Sequence, residues 1–184
     1  GRIGQLLDYS SLANDTGVSV NTVKGWLSVL EASYVIYLLQ PYYKNLNKRV
    51  IKSPKIYFTD TGLAAFLLNI SNPEQISYHY LKGNLFENFI ITELLKDNYN
   101  NAASANLYFF RDSNGNEIDC IIEGADLKAL EIKSSRTFST NFTDGMKVLV
   151  RNSILTPNDC FVIYGGEEDF TFKGFNVRSW RRLL

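Results

Sequence analysis

The chain has 184 residues, and its 19 basic and 19 acidic side chains give a formal net charge of zero. With 45% hydrophobic residues and only four prolines it is not a disordered chain, and its length suits one ordinary domain or two small ones. The basic residues dominate residues 1–57 and the acidic residues the second half. This distribution favours a polyanionic partner for the first part.

Cys120 and Cys160 each lie in an apolar run of strand-like residues, and we expect both to be free core thiols. Free thiols, with no signal peptide and no long apolar span, predict a cytoplasmic location and no membrane partner. The single histidine, His79, argues against a histidine-cluster metal site and a Ser-His-Asp triad. The start at Gly1, without Met, predicts a piece of a longer protein.

Residues 11–27 follow a helix-turn-helix pattern, with Gly17 at the turn and Ser19 as N-cap of the second helix. Helical spacing predicts one buried face for this second helix, formed by Val23, Trp26, Leu27 and Leu30. Its polar face would suit either a recognition helix in a major groove or an ordinary surface helix.

Two strand-like segments follow, Tyr34–Gln40 and Ile56–Phe58, joined by a basic connection. A helix-turn-helix followed by a hairpin is the outline of a winged helix, so we predict a winged-helix-like domain over residues 1–70, closed by a helix from Thr59 to Leu68. Residues 71–79 are the predicted linker. The cations expected to contact nucleic acid in this domain are Lys24, Lys44, Lys48, Arg49 and Lys52. The basic loop is equally suited to packing on its own domain or on another domain of the protein.

Residues 80–184 form the second predicted domain, in the order helix, three strands, helix, strand. The predicted helices cover 80–97 and 144–154, with a short helix at 179–184. The predicted strands cover 106–111, 117–123, 127–133 and 159–164.

Charged residues at the ends of two of these strands carry the candidate chemistry. Alternation places Glu117 and Asp119 on one face of their strand, and Glu131 and Lys133 on one face of the next. If these strands pair through the turn at Gly124, the carboxylates and the ammonium converge, which suits Mg²⁺ or Mn²⁺ and a phosphate. The same residues also fit a solvated strand face.

Two interpretations remain open for Arg111, which follows an aromatic strand. Its guanidinium would reach a phosphate of a bound nucleic acid, or it would pair with Asp112 or Glu117.

Glu87 in a helix, Asp119 in Glu-Ile-Asp-Cys-Ile-Ile, and Glu131-Ile-Lys133 resemble the conserved elements of the PD-(D/E)XK nuclease superfamily, in its αβββαβ order. The resemblance implies a restriction-endonuclease-like domain and an α+β or α/β fold class. It implies that Asp119 and Glu131 are metal ligands, that Glu87 supports the site directly or through water, and that Lys133 acts at the water or the phosphate. Ile118 stands where the superfamily usually has proline.

The chain also resembles, over nearly its whole length, the DUF4143 region that follows the nucleotide-binding domain in a prokaryotic AAA-type ATPase family. The similar segments begin at Leu12, Thr22, Leu30, Lys48, Ser53 and Tyr108. The resemblance implies an ATPase domain upstream in the same protein. No G-x-x-x-x-G-K-[ST] stretch occurs in the sequence, so ATP is expected only in that upstream domain.

We therefore expect a nucleic-acid-binding chain, with DNA the expected partner, that cleaves phosphodiester bonds with a divalent metal. The alternative is a non-catalytic module that binds DNA or protein. A third interpretation is an assembly module that makes the ATPase a homo-oligomer.

Overall fold

The computed structural model describes residues 1–43, 51–102 and 106–183 and has a mixed α and β architecture. Six α-helices lie within these residues: α1 (Tyr9–Thr16), α2 (Val20–Ala32), α3 (Thr61–Leu67), α4 (Pro73–Tyr78), α5 (Lys82–Asn100) and α6 (Asp144–Arg151). The strands are β1 (Ile36–Pro41), β2 (Lys55–Phe58), β3 (Leu107–Arg111), β4 (Glu117–Glu123), β5 (Leu127–Lys133), β6 (Cys160–Tyr164), β7 (Phe170–Phe172) and β8 (Phe175–Ser179).

All these strands belong to one sheet, in the order β2-β1-β3-β4-β5-β6-β8-β7. The antiparallel pairs are β1 with β2, β3 with β4, β4 with β5 and β7 with β8. The parallel pairs are β1 with β3, β5 with β6 and β6 with β8. The strands β4 and β5, which carry most of the candidate residues, are therefore central in the sheet.

Helices cover both faces of the sheet, as a sheet with two apolar faces requires. On one face α5 packs Ile90, Ile91 and Leu95 into a core that includes Phe109 and Cys120. On the other face α6 contributes Met146 and Leu149 to a second core. Both predicted core thiols are buried and free.

The N-terminal helices have the predicted turn and cap. Gly17 ends α1 in the left-handed region at φ +69°, and Ser19 Oγ accepts from the backbone N–H of Thr22 at the start of α2. Only part of the predicted apolar face of α2 is buried: Val23 and Leu27 are inside, whereas Trp26 is 51% exposed and Leu30 is 38% exposed. α2 packs mainly on α1 and β1, and its buried contact line is the i, i+4 pair Val23 and Leu27.

The hairpin of β1 and β2 is present and joins the sheet of the second predicted domain. β1 pairs with β3 through Gln40 with Tyr108, and the backbone N–H of Tyr42 donates to the carbonyl oxygen of Phe109. The predicted linker contains the helix α4, which begins with an N-cap from Asn72 and Pro73 at its first turn. Residues 73–78 of the predicted linker are therefore helical.

From residue 80 onwards the elements follow the predicted order, and β4 and β5 have the predicted bounds. The hairpin of β7 and β8 was not predicted. It turns at Lys173 and Gly174, both at positive φ, which is the conformation of a tight two-residue hairpin turn. The predicted helix at 179–184 is a single 3₁₀ turn at Trp180–Arg182.

No helix among the described residues has the length and hydropathy needed to cross a lipid bilayer.

Candidate functional site

A polar cavity of about 570 Å³ lies where β4 and β5 approach β2, α5 and the N-terminal segment. Among the described residues that line it, the charged ones are Lys55, Glu87, Arg111, Glu117, Asp119, Glu131 and Lys133. Four carboxylates thus face two lysines and one arginine in a single pocket. Such a group of coupled charges is typical of a functional site, although structural ion pairs also produce it.

A β-bulge lies in β4 beside Asp119, which shares the pocket with Glu117 of the same strand. Tyr108 pairs with Ile121 whereas Phe110 pairs with Ile118, so Asp119 and Cys120 together lie opposite one residue of β3. The β4–β5 pairing begins at Cys120 with Leu130, and beyond it the Asp119 carboxylate accepts a 2.8 Å hydrogen bond from the backbone N–H of Ile132. The Asp119 side chain takes up a backbone donor and is thereby held in place.

On one side of Asp119, Lys133 holds two carboxylates together. Its Nζ lies 2.6 Å from Glu131 Oε1 and 3.3 Å from Asp119 Oδ2. The second oxygen of Glu131, Oε2, is buried without a hydrogen-bond partner among the described residues. A Cβ at Gly145, in the first turn of α6, would lie 3.5 Å from this oxygen. The Glu131 carboxylate therefore has an acceptor position that nothing in the described chain fills.

On the other side of Asp119, Lys55 holds three carboxylates. Its side chain is 3% exposed, and its Nζ lies 2.6 Å from Glu117 Oε1, 2.9 Å from Glu87 Oε1 and 3.9 Å from Asp119 Oδ1. Tyr57, two residues further along β2 and on the same face, donates a 2.6 Å hydrogen bond to Glu87 Oε1. The Glu87 carboxylate is thus fixed by two donors of the N-terminal hairpin.

The electrostatics of the pocket follow from this excess of carboxylates. Burial, together with the Asp119 carboxylate, raises the pKa of Glu131 to about 8, although Lys133 opposes the shift. Burial and Asp119 also raise the pKa of Glu87 against the effect of Lys55. Burial alone would lower the pKa of Lys55, but the surrounding carboxylates raise it above its ordinary value. The lysines therefore stay charged, whereas the carboxyl group of Glu131 is largely protonated at neutral pH.

The structure brings five of the predicted residues into the pocket, namely Glu87, Glu117, Asp119, Glu131 and Lys133. Arg111 also lines the pocket and pairs with Glu117 at 3.1 Å, so the pairing that the sequence left open is observed.

The cations predicted to bind nucleic acid in the N-terminal domain lie elsewhere. Lys24 is exposed on α2 with its Nζ 5.4 Å from the centre of the Tyr9 ring, and Lys52 is exposed before β2. The predictions for Lys44, Lys48 and Arg49 fall outside the described residues.

Sequence reasoning missed Lys55 and Tyr57. Lys55 was counted as part of a basic connection, and its partners are 32 to 64 positions away in the chain. The available signal was the alternation over Lys55–Phe58, which places Lys55 on the same face as the fully buried Tyr57.

Comparison with known families gives this pocket a context. The model of a family described as a domain of unknown function (DUF4143) matches residues 82–183, more than half of the chain. The chain belongs to the DUF4143 family.

A second family model, also described as a domain of unknown function (DUF8612), matches residues 1–74. The DUF4143 resemblance was expected over nearly the whole chain, but its match begins only at residue 82. The pocket is built from both matched regions, since Lys55 and Tyr57 lie in the first and Glu87, Asp119 and Glu131 lie in the DUF4143 domain.

Two relatives are uncharacterized proteins of Mycobacterium bovis and Mycobacterium tuberculosis. Each is 32% identical to this chain over 120 residues, which covers 65% of the chain and 26% of the relative. The matched part of this chain thus spans about a quarter of the length of these relatives. No solved structure is significantly similar to the chain.

Proposed function

We propose that this chain is the C-terminal region of an AAA-type ATPase, and that it binds nucleic acid and cleaves phosphodiester bonds with a divalent metal. The observation that carries the proposal is the convergence of Asp119 and Glu131 on the ammonium of Lys133, within one polar pocket. Glu87 reaches the same pocket from α5. These are the residues that resemble the PD-(D/E)XK elements, and a nuclease-like fold for residues 80–184 is part of the proposal.

The donor set of the pocket fits a hard divalent cation such as Mg²⁺ or Mn²⁺. No group of three or more His, Cys, Asp or Glu side chains in the described part of the chain is arranged to enclose a metal. Mg²⁺ does not require such a cage, since it commonly uses one or two carboxylates and completes its shell with water and phosphate oxygens. The Oε2 of Glu131, which has no hydrogen-bond partner among the described residues, and the raised pKa of that residue both favour one further positive charge beside this carboxylate.

Asp119 and Glu131 would hold the metal, which supplies a polarised water and offsets negative charge on the phosphate. Lys133 lies between these carboxylates and remains protonated because they raise its pKa. An ammonium beside the metal would stabilise charge that develops on a phosphate oxygen. Glu87, held by Lys55 and Tyr57, would orient the surrounding groups rather than contact the metal itself.

Nucleic-acid binding is assigned in this proposal to the winged-helix-like part of the chain. The exposed Lys24 and Lys52 support it, because phosphate contacts by lysine and arginine supply most sequence-independent affinity. Arg111 stands at the pocket with its side chain 39% exposed, where exchange of Glu117 for a phosphate would bring a nucleic-acid strand to the site. The upstream ATPase is inferred from the DUF4143 resemblance and would control or move the nucleic acid.

The test is cleavage of plasmid, linear single-stranded and branched DNA in Mg²⁺ or Mn²⁺. The chain is compared with Asp119→Asn and Glu131→Gln, which keep side-chain volume, and with Asp97→Asn on the exposed end of α5 as a matched control. Each variant is first shown to fold by circular dichroism. We expect metal-dependent cutting that both pocket variants abolish and the control retains. Absence of cutting on every substrate, also with the full-length ATPase present, would rule out the catalytic proposal.

The second candidate is a non-catalytic module that binds DNA or protein. The observation that favours it is the buried ammonium of Lys55, which already neutralises part of the carboxylate charge in the pocket. Under this alternative the pocket stabilises the junction between the two matched regions. DNA binding that is unchanged in Asp119→Asn, together with no metal binding, would support it.

A further inference from the structure

The pocket contains two positions for a cation, and the two positions share Asp119. Lys133 occupies the first, between Asp119 Oδ2 and Glu131 Oε1. Lys55 occupies the second, against Glu87, Glu117 and the other oxygen of Asp119. The two oxygens of one carboxylate therefore face different ammonium groups.

The two lysines differ in how they reach the pocket. Lys133 ends β5 and its side chain is 34% exposed, so this long side chain has water beside it and can move aside. Lys55 is 3% exposed and its backbone is held in β2, where it also bridges to Leu6. Because a buried charge is stable only when it is paired, the ammonium of Lys55 and its three carboxylates are held together as one unit.

We propose that Lys55 sets the cation capacity of the pocket: its ammonium fills the position between Glu87, Glu117 and Asp119, and restricts a divalent ion to the side of Asp119 and Glu131. This inference rests on the proposed function for the metal at Asp119 and Glu131. Lys55 is a positioning residue in this scheme. It comes from the DUF8612 match, so one matched region controls how many metal ions the other can hold.

The prediction concerns the number of Mn²⁺ ions bound after the ammonium of Lys55 is removed. In Lys55→Met the side chain keeps its unbranched shape as far as Cε and loses the charged Nζ, which leaves Glu87 and Glu117 without their shared cation. An Mn²⁺ ion prefers carboxylate oxygens and would take that position. We expect the chain to bind one Mn²⁺ and Lys55→Met to bind two. The added site should be at least about tenfold tighter than any second site of the unmodified chain, because the competing unit charge is gone.

The measurement is direct titration with Mn²⁺, followed by electron paramagnetic resonance of the free ion and by calorimetry. The control is Lys96→Met, which removes an ion-paired lysine from the exposed surface of α5 and should leave binding unchanged. Adding Glu117→Gln to Lys55→Met removes one carboxylate of the second position and should weaken the gained site.

The outcomes separate this inference from the proposed function. One ion in the unmodified chain and two in Lys55→Met supports both. One ion in each overturns the role of Lys55 and leaves the proposed metal site standing. No ion in the unmodified chain but one in Lys55→Met overturns the proposed metal site and supports the role of Lys55. No ion in either overturns both.

Folding of the variant supplies an independent measurement. Three carboxylates without their ammonium repel one another, so Lys55→Met should melt below the unmodified chain, and Mn²⁺ should raise its melting temperature by the larger amount. A Lys55→Met chain that stays unfolded in Mn²⁺ would show that a metal does not replace the ammonium, and would overturn the inference.

Discussion

Replacement of Glu131 by Gln tests whether the pocket carries more carboxylate charge than its cations balance. Burial raises the pKa of Glu131 from 4.5 to about 8, and the side chain is only 12% exposed. The folded chain then holds this proton more tightly than the unfolded chain, so the free energy of unfolding falls as the pH rises from about 4.5 to about 8. At about 1.4 kcal/mol for each pH unit, the loss has a ceiling of roughly 5 kcal/mol. Water at the mouth of the pocket screens part of it, and we expect about 3 kcal/mol.

The assay is urea unfolding followed by tryptophan fluorescence at several pH values from 5 to 8.5. The unmodified chain should lose stability across this range, whereas Glu131→Gln, which stays neutral like the protonated acid, should be flatter and more stable at pH 8.5. Glu87 shifts in the same direction and leaves some slope in the variant. The control is Glu167→Gln, at a side chain that is 82% exposed. Parallel slopes for the unmodified chain and Glu131→Gln would refute the reasoning.

Two further predictions concern the packing that supports the pocket. Gly145→Ala should destabilise the chain by about 2–4 kcal/mol in urea unfolding, because its Cβ would lie 2.3 Å from the carbonyl oxygen of Glu117 and α6 would have to shift. The control is Gly25→Ala, where the new Cβ meets nothing within 4 Å. This variant should be neutral or stabilising in the same measurement. Asn88→Ala should lower the free energy of unfolding by about 2–4 kcal/mol. The fully buried amide of Asn88 accepts a hydrogen bond from the backbone N–H of Phe58 and donates one to its carbonyl oxygen. A change below about 1 kcal/mol in thermal or urea unfolding would contradict the assigned role of Asn88.

The bounds of β4 and β5 were predictable because their local patterns are strong. Polar turn residues flank each strand, and the short turn at Gly124 leaves antiparallel pairing as the simple connection. The same local pattern placed Asp119 and Glu131 on neighbouring strands. The sequence alone was therefore sufficient to identify most of the candidate residues of the pocket.

The bulge at Asp119 and Cys120 was not predictable from alternation. A strict period of two would place Ile118 and Cys120 on one face, yet they contribute to opposite cores. The bulge depends on the pairing of β4 with β3, which shifts between Tyr108 and Phe110.

The apolar face of α2 shows the same limit of prediction from sequence periodicity. Helical spacing correctly predicts Val23 and Leu27 as core, but it cannot say how wide a stripe the neighbours cover. Trp26 and Leu30 remain partly in solvent, so the buried stripe is narrower than the apolar one.

The sequence by itself determined the order of elements from α5 to β6, the bounds of the two central strands, the turn and cap between the first two helices and the identity of the acidic residues. These features depend on interactions between residues a few positions apart, and such interactions leave periodic patterns in the chain. Only the tertiary structure decided that Lys55 completes the pocket, that Tyr57 holds Glu87 and that Glu131 keeps an unpartnered oxygen. Each of these depends on side chains brought together by strand pairing and helix packing across 30 or more positions, and the charge of a buried group is set by the neighbours that folding places around it.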